Sequence, residues 1–310
     1  MSSRVFRWLV ISLATTVLCF FSRGFLIRAQ TTSLGADDEQ VNQNVHERDR
    51  WFTMNKDYSS QRYVDLDQIT PRNVGRLKEV CEIRLNEPVM FSSGLLKVGR
   101  TLYAATLRGT YAIDATTCEL RWPRHVINFE QFPATVTQRG LGYLNGRIFR
   151  GTGDGRMIAL DAKTGESLWP DLQSADPMHS EAFSSAPIAA KGKVFAGIVT
   201  GDVGIAGRLM AFDARTGAQL WSFDSTLGHN AGGGFWTSYS LDPKTGEVFA
   251  AIANPYPDFD RDGDKGDDTG KTDSVVSINA MNIPKAELNW FYQAVPRDEH
   301  DWDLATTPTL

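Results

Sequence analysis

The sequence contains no polybasic run: its lysines and arginines are scattered, and the formal charge is −5. That removes the basic surface that nucleic-acid binding needs. It also lacks an apolar stretch of the roughly 20 residues that a bilayer-spanning helix requires. The nearest approach covers residues 8–21, and Arg23 and Arg28 interrupt any extension of it. No interval carries a long helical pattern, which leaves strands to build the core. Cysteine is scarce: Cys19, Cys81 and Cys118 are the three present, and two thiols outside the leader prove little by themselves.

What is present points to an exported globular protein. Hydrophobic residues make up 42% and charged residues 22% of the chain, which is ample material for a core. Arg4 and Arg7 precede the apolar run, and Ser22, Arg23 and Gly24 follow it. A positive segment ahead of a short apolar one is the layout of an export signal. Residues 1–29 are expected to form a signal peptide cleaved after Ala29, or to remain as an N-terminal anchor. Cys19 lies inside this segment without the small residues that precede a lipidated cysteine. Residues 30–50 read as a linker. The expected location is periplasmic or otherwise exported, with membrane contact at most through the N-terminal segment.

Three segments align without gaps: AIDATTCELRW from Ala112, ALDAKTGESLW from Ala159 and AFDARTGAQLW from Ala211. A looser fourth, SINAMNIPKAELNW, begins at Ser277. The closing tryptophans stand at 122, 169, 221 and 290, so successive units are 47, 52 and 69 residues apart. Units of about 40–50 residues suit a four-stranded propeller blade, with an insertion in the longest interval. Alternation in RMIAL (156–160) predicts a strand, and the Asp-Ala-Lys-Thr-Gly that follows predicts a turn. Gly165 and Gly217 are free to take the positive φ such a turn requires. A second strand then carries the Trp, while KVFAG (193–197) and EVFAA (247–251) predict strands in the intervals. The fold class is all-β. Variable spacing with a recurrent Asp-turn-Trp unit argues for a propeller against a solenoid or sandwich.

The A-x-D-x-x-T-G-x-x-x-W unit resembles the tryptophan-docking motif of the pyrroloquinoline-quinone (PQQ)-dependent alcohol dehydrogenases, which are eight-bladed propellers. WFTMNKDYSSQRYVDLDQITPRNVGRL resembles that family's N-terminal segment, so the resemblance covers 51–310. It implies that each docking Trp stacks on the peptide at the Gly of the next motif. It also implies that 51–310 holds about the first half to five-eighths of the ring. Counting GRLKEVCEIRL as a degenerate unit gives five blade-ending strands, and ATTPTL reads as the first strand of another blade, cut off after its start. In this alignment Cys81 takes the Trp position and Cys118 the Gly position of the next motif. The resemblance thus implies a Cys81–Cys118 disulfide in place of one docking contact, which an oxidising compartment permits. Two unrelated thiols are the alternative.

The same resemblance nominates a site. GIVTGDVGIAGRLMAFDA supplies Asp202 as a calcium ligand where most members have Glu; AIANPYP supplies Asn254; HDWDLATTP supplies Asp303 as ligand and catalytic base. Calcium prefers hard oxygen ligands of this kind. The family mechanism has the cation polarise a quinone carbonyl while the Asp takes the alcohol proton and a hydride passes to the quinone. GGGFWTSYSLDP places Trp236 under the quinone ring, and VTQRG places Arg139 on a quinone carboxylate. Ser184, in FSSAP, is a further cofactor contact, and Thr200 and Gly201 precede the first metal ligand. Ala305, two beyond Asp303, stands where lanthanide-using members carry an extra carboxylate, which favours calcium. Pro133-Ala134 replaces an adjacent-cysteine disulfide common in the alcohol dehydrogenases, and this bears on the substrate class more than on the cofactor. Gly234 replaces a usual Thr. DFDRDGDKGDDT (258–269) imitates an EF-hand loop, but Thr269 stands where the bidentate Glu belongs and no flanking helices are evident. It reads as a solvated acidic insertion.

The function expected is the N-terminal portion of a periplasmic PQQ-dependent dehydrogenase, oxidising an alcohol or sugar-type hydroxyl and passing electrons to a c-type cytochrome. The rivals are a non-catalytic PQQ-repeat scaffold for protein binding and an inactive truncated member. Asp202, Asn254, Asp303 and Trp236 together discriminate, because a scaffold has no use for that set. With the ring incomplete, these 310 residues alone are expected to lack activity.

Overall fold

The computed structural model describes residues 41, 48–85, 87, 91–128, 137–170, 172–199, 201–226, 232–257, 271–281, 284–296, 298 and 300–310. The 1–29 segment, nearly all of the 30–50 linker, Pro133-Ala134, Thr200 and the 258–269 loop lie outside them. Among the described residues no helix is long and apolar enough to cross a membrane.

Strands form four antiparallel meanders, each ordered as in the chain. The first holds β1 (Arg50–Trp51), β2 (Leu96–Val98), β3 (Thr101–Ala105), β4 (Gly109–Asp114) and β5 (His125–Val126). The second holds β6 (Gly142–Leu144), β7 (Arg147–Gly151), β8 (Arg156–Asp161) and β9 (Leu172–Gln173). The third holds β10 (Ile188–Ala190), β11 (Lys193–Gly197), β12 (Arg208–Asp213) and β13 (Gln219–Asp224). The fourth holds β14 (Ser240–Asp242), β15 (Glu247–Ile252), β16 (Ser274–Asn279) and β17 (Glu287–Gln293). This is part of a β-propeller. Alternation does not sort inside from outside here: Met157, Ile158, Ala159 and Leu160 of β8 are all buried. Neighbouring sheets cover both faces, as in any strand packed from two sides.

The repeated Asp ends β4, β8 and β12 at one register, Asp114 opposite Thr101, Asp161 opposite Arg147 and Asp213 opposite Lys193. Its carboxylate then accepts the next turn's backbone N–H groups: those of Thr116 and Thr117, of Lys163 and Thr164, and of Arg215 and Thr216. An Asx turn of this kind explains why the motif keeps Asp and Thr at fixed offsets. Gly165 and Gly217 follow with φ of 76° and 79°. A Cβ on Gly165 would lie 2.7 Å from the Trp122 ring, and one on Gly217 2.8 Å from the Trp169 ring. Trp122 donates its indole N–H to Ala162 at 3.3 Å, and Trp221 donates to Ala280 at 3.2 Å. Trp122 and Trp221 therefore tie their sheets to the next ones through hydrogen bonds, and Trp169 does so by packing on Gly217, while Trp290 is half-exposed.

Three local expectations give way. The first two Trp-bearing segments are not strands; single bridges, Ile113 to Leu120 and Leu160 to Ser167, are all that pair there. Residues 79–85 and 305–310 are likewise outside any sheet. Extended chain becomes a strand only beside a partner, and no described strand runs alongside either one. Ile83 and Leu85 instead pack on Ala104, Tyr111 and Ile113 of the first sheet. Cys81 and Cys118 are disulfide-bonded, with Cα atoms 6.3 Å apart. Cys118 takes a left-handed φ of 61°, the conformation that the glycines hold in the other turns.

Arg150, on β7, is fully buried and reaches into the first sheet. Its Nη1 donates to the Gly109 carbonyl and Thr110 hydroxyl at 2.8 and 2.9 Å, and its Nη2 to the Thr106 and Leu107 carbonyls at 2.7 and 3.0 Å. Burial pushes its pKa down to about 10, against the pull of Glu87 and Asp154.

Candidate functional site

The stretch after β1 folds back across the later sheets. Tyr58 donates its hydroxyl to the Ala189 carbonyl at 2.8 Å and accepts the Leu241 N–H on its own carbonyl at 2.8 Å. Ser59 accepts the Leu310 N–H at 3.0 Å. Beside this strap lies an open cavity of about 490 Å³ lined by Met54, Asn55, Arg62, Arg139, Trp236 and Thr307. A volume of that order suits a compact ligand.

Arg139 and Trp236 form one wall. The guanidinium lies over the indole ring, 4.2 Å from its centroid. Arg139 is anchored through its backbone N–H to the Ser184 carbonyl at 2.9 Å, and Ser184 itself is buried. Burial holds the Arg139 pKa below its usual value, while Asp303 pulls it back up. Arg62, also in the lining, donates Nε to the Asn55 side-chain oxygen at 2.6 Å. The cavity is thus flanked by two guanidinium groups and offers one aromatic face.

Behind Trp236 lies an acidic cluster. Asp303 Oδ1 accepts the Asn254 backbone N–H at 3.0 Å. The buried Asn254 side chain donates to the Pro255 carbonyl at 3.2 Å. Burial pushes the Asp303 carboxyl up; the Asn254 N–H and the nearby indole of Trp236 oppose this, and Asp202 and Asp301 add to it. The indole acts without a hydrogen bond of ordinary geometry, since its Nε1 is buried and has none. Asp202, in the short 3₁₀ turn Gly201–Val203, is also raised, by partial burial and then by Asp301. Asp298 spends its two oxygens on the N–H groups of His300 and Trp302, fixing the loop that leads to Asp303. Among the described residues, none of Asp202, Asp273, Asp298, Asp301 and Asp303 has an ion pair.

The fold therefore brings Asn254 to Asp303, Arg139 to Trp236, and Asp202 within electrostatic reach of Asp303. Thr200 is outside the described residues. Among those residues no three of His, Cys, Asp and Glu gather closely enough to hold a metal ion unaided, so a cation at Asp202 and Asp303 would also draw on the Asn254 amide. Sequence reasoning missed Asp273, Asp298 and Asp301 in the cluster, and Asn55 and Arg62 at the cavity. A carboxylate at the mouth of the apolar strand SVVSIN was the one available signal for Asp273.

Over residues 51–310 the chain matches the PQQ family described as glucose/ethanol/alcohol dehydrogenase, β-propeller domain. It is 30% identical to the lanthanide-dependent methanol dehydrogenase of Methylacidiphilum fumariolicum strain SolV, over 87% of this chain and 50% of that protein. It is 32% identical to the dehydrogenase subunit of the quinone alcohol dehydrogenase of Gluconacetobacter polyoxogenes, over 91% of this chain and 44% of that one. A solved quinohemoprotein alcohol dehydrogenase of Pseudomonas putida superposes with a TM-score of 0.77 at 26% identity, covering 87% of this chain and 43% of that one. The chain spans about half the length of the curated relatives it matches.

Proposed function

The chain belongs to the PQQ-dependent glucose/ethanol/alcohol dehydrogenase β-propeller family, and on that premise we propose that it contributes the quinone and cation sites of an exported dehydrogenase for alcohol or sugar-type hydroxyls. The observation that carries the reading is the pinning of a half-buried, raised carboxylate, Asp303, beside a guanidinium stacked on Trp236. The residues fit both groups. Trp236 and Arg139 both line the cavity, the guanidinium covering one face of the indole at 4.2 Å, and an aromatic wall with two guanidiniums suits a flat, carboxylated ring. The acidic cluster, without an ion pair among the described residues, suits a hard cation.

Trp236, Arg139, Ser184 and the Thr200-Gly201 stretch would hold PQQ, and Asp202, Asn254 and Asp303 would hold calcium. When bound, the quinone supplies a two-electron acceptor and the cation supplies Lewis acidity. Asp303 is the general base. Its Oδ1 is held by the Asn254 N–H, which leaves Oδ2 to receive the hydroxyl proton. A carboxylate raised by burial is a stronger base than a free one, which suits that task. Arg139 balances charge on the ligand and fixes its orientation. Electrons would then leave for a c-type cytochrome.

The test adds PQQ and Ca²⁺ to the protein and follows quenching of tryptophan fluorescence; alcohols and sugars are screened by dye reduction in a complete propeller that contains the chain. Saturable quenching that disappears in Trp236→Leu supports the site. No quenching by PQQ at any calcium concentration overturns it.

A further inference from the structure

Asp273 has no part in the function proposed above, yet its setting is unusual. The residue has no solvent exposure, and neither carboxylate oxygen has a hydrogen-bond partner. Its backbone is fully used: the N–H donates to the Ala253 carbonyl at 3.0 Å, and the carbonyl accepts the Ala294 N–H at 2.8 Å. The side chain caps nothing and bridges nothing. Leaving a buried carboxylate unpaired is costly, so its presence calls for a compensating positive charge.

Among the described residues no such charge acts on it. The charged groups that act on Asp273 are Asp298, Asp303 and Asp301, all of its own sign. Lys271, two residues away, places its ammonium 3.9 Å from the centroid of the Phe291 ring. Arg139 feels Asp303. What lies beside Asp273, one residue beyond its backbone partner Ala253, is Asn254, a ligand in the proposed cation site.

We propose that Asp273 is a positioning residue for that site: its buried charge, set behind the 253–254 backbone, strengthens cation binding at Asp202, Asn254 and Asp303 without ligating the ion. The proposal rests on the cation reading above and adds a residue to it. It also carries a signature. Coulomb energy scales with the product of the charges, so a trivalent ion gains one and a half times as much from Asp273 as a divalent ion does.

The experiment measures Tb³⁺ affinity by tryptophan-sensitised luminescence and Ca²⁺ affinity by calorimetry, on the 310-residue protein and its Asp273→Asn variant at pH 8. If the variant loses about tenfold in Tb³⁺ affinity, it should lose only about fivefold in Ca²⁺ affinity. The melting temperature of the cation-free protein should hold or rise. A parent protein that binds neither ion overturns the cation reading and the proposal together. Normal parent binding with unchanged variant affinities overturns the proposal alone. So does equal loss for both ions with a lowered melting temperature, which marks a structural role. Asp273→Ser serves where Asp273→Asn does not fold, and failure of both to fold also assigns a structural role.

Discussion

Asp303 accepts the backbone N–H of Asn254 at 3.0 Å, joining two segments 49 residues apart through one carboxylate oxygen. The donor is main chain, so the bond survives any substitution at 254 other than proline that leaves the local backbone intact, and it fixes which Asp303 oxygen is available. Asp303→Asn keeps an acceptor for this N–H but puts an amide donor where a proton must arrive. In a complete propeller that carries the substitution, dye reduction should fall about 10²–10⁴-fold, the range that a general base contributes. Quinone quenching of tryptophan fluorescence should persist in the same variant.

Gly165→Ala and Gly217→Ala test the docking contacts. Each forces a side chain into positive φ and sets a Cβ within 2.8 Å of an indole ring. A loss of about 2 kcal/mol or more is expected from the backbone strain and the displaced ring together. Urea midpoints read it directly, and a shift no larger than that of a surface substitution contradicts rigid docking.

The Cys81–Cys118 bond closes a span of 37 residues. In the chain-entropy account, a loop of that length contributes about 4 kcal/mol. The Cys81→Ser/Cys118→Ser double variant should lose that stability in urea titration, and reductant should lower the parent to match. Peptide mapping without reduction should recover the two cysteines in one linked fragment.

Asp273 sets a pH dependence of stability. Burial, then Asp298, Asp303 and Asp301, raise its pKa from 3.8 to about 7. In the unfolded chain it ionises near 3.8, while in the native protein it keeps its proton until about 7. Its contribution is therefore fully present below the lower value and is lost as pH rises to the upper one. In cation-free buffer, the melting temperature of Asp273→Asn minus that of the parent should climb between those limits and level off above them.

The blade repeat is legible in the sequence because its contacts are short-range. Asp161 bonds N–H groups two and three residues on, and Gly165 follows one residue later. A pattern of that span survives in a linear reading. The Trp-bearing strands and residues 79–85 are less legible, since pairing depends on a partner set by the rest of the fold. In the site, local words single out Asn254, Asp303, Arg139 and Trp236. Asp273, Asn55 and Arg62 carry no such word: what matters about them is a neighbour many residues away, and only the folded chain supplies that neighbour.

Arg150 has a consequence for how the chain folds. Its guanidinium finds its four first-sheet acceptors only when β3 and β4 are already turned back on each other and the second sheet is docked against them. Peeling the first sheet away would break all four of these bonds at once and open the buried interface around Arg150. The two sheets are thus expected to open together, although each is a complete meander by itself.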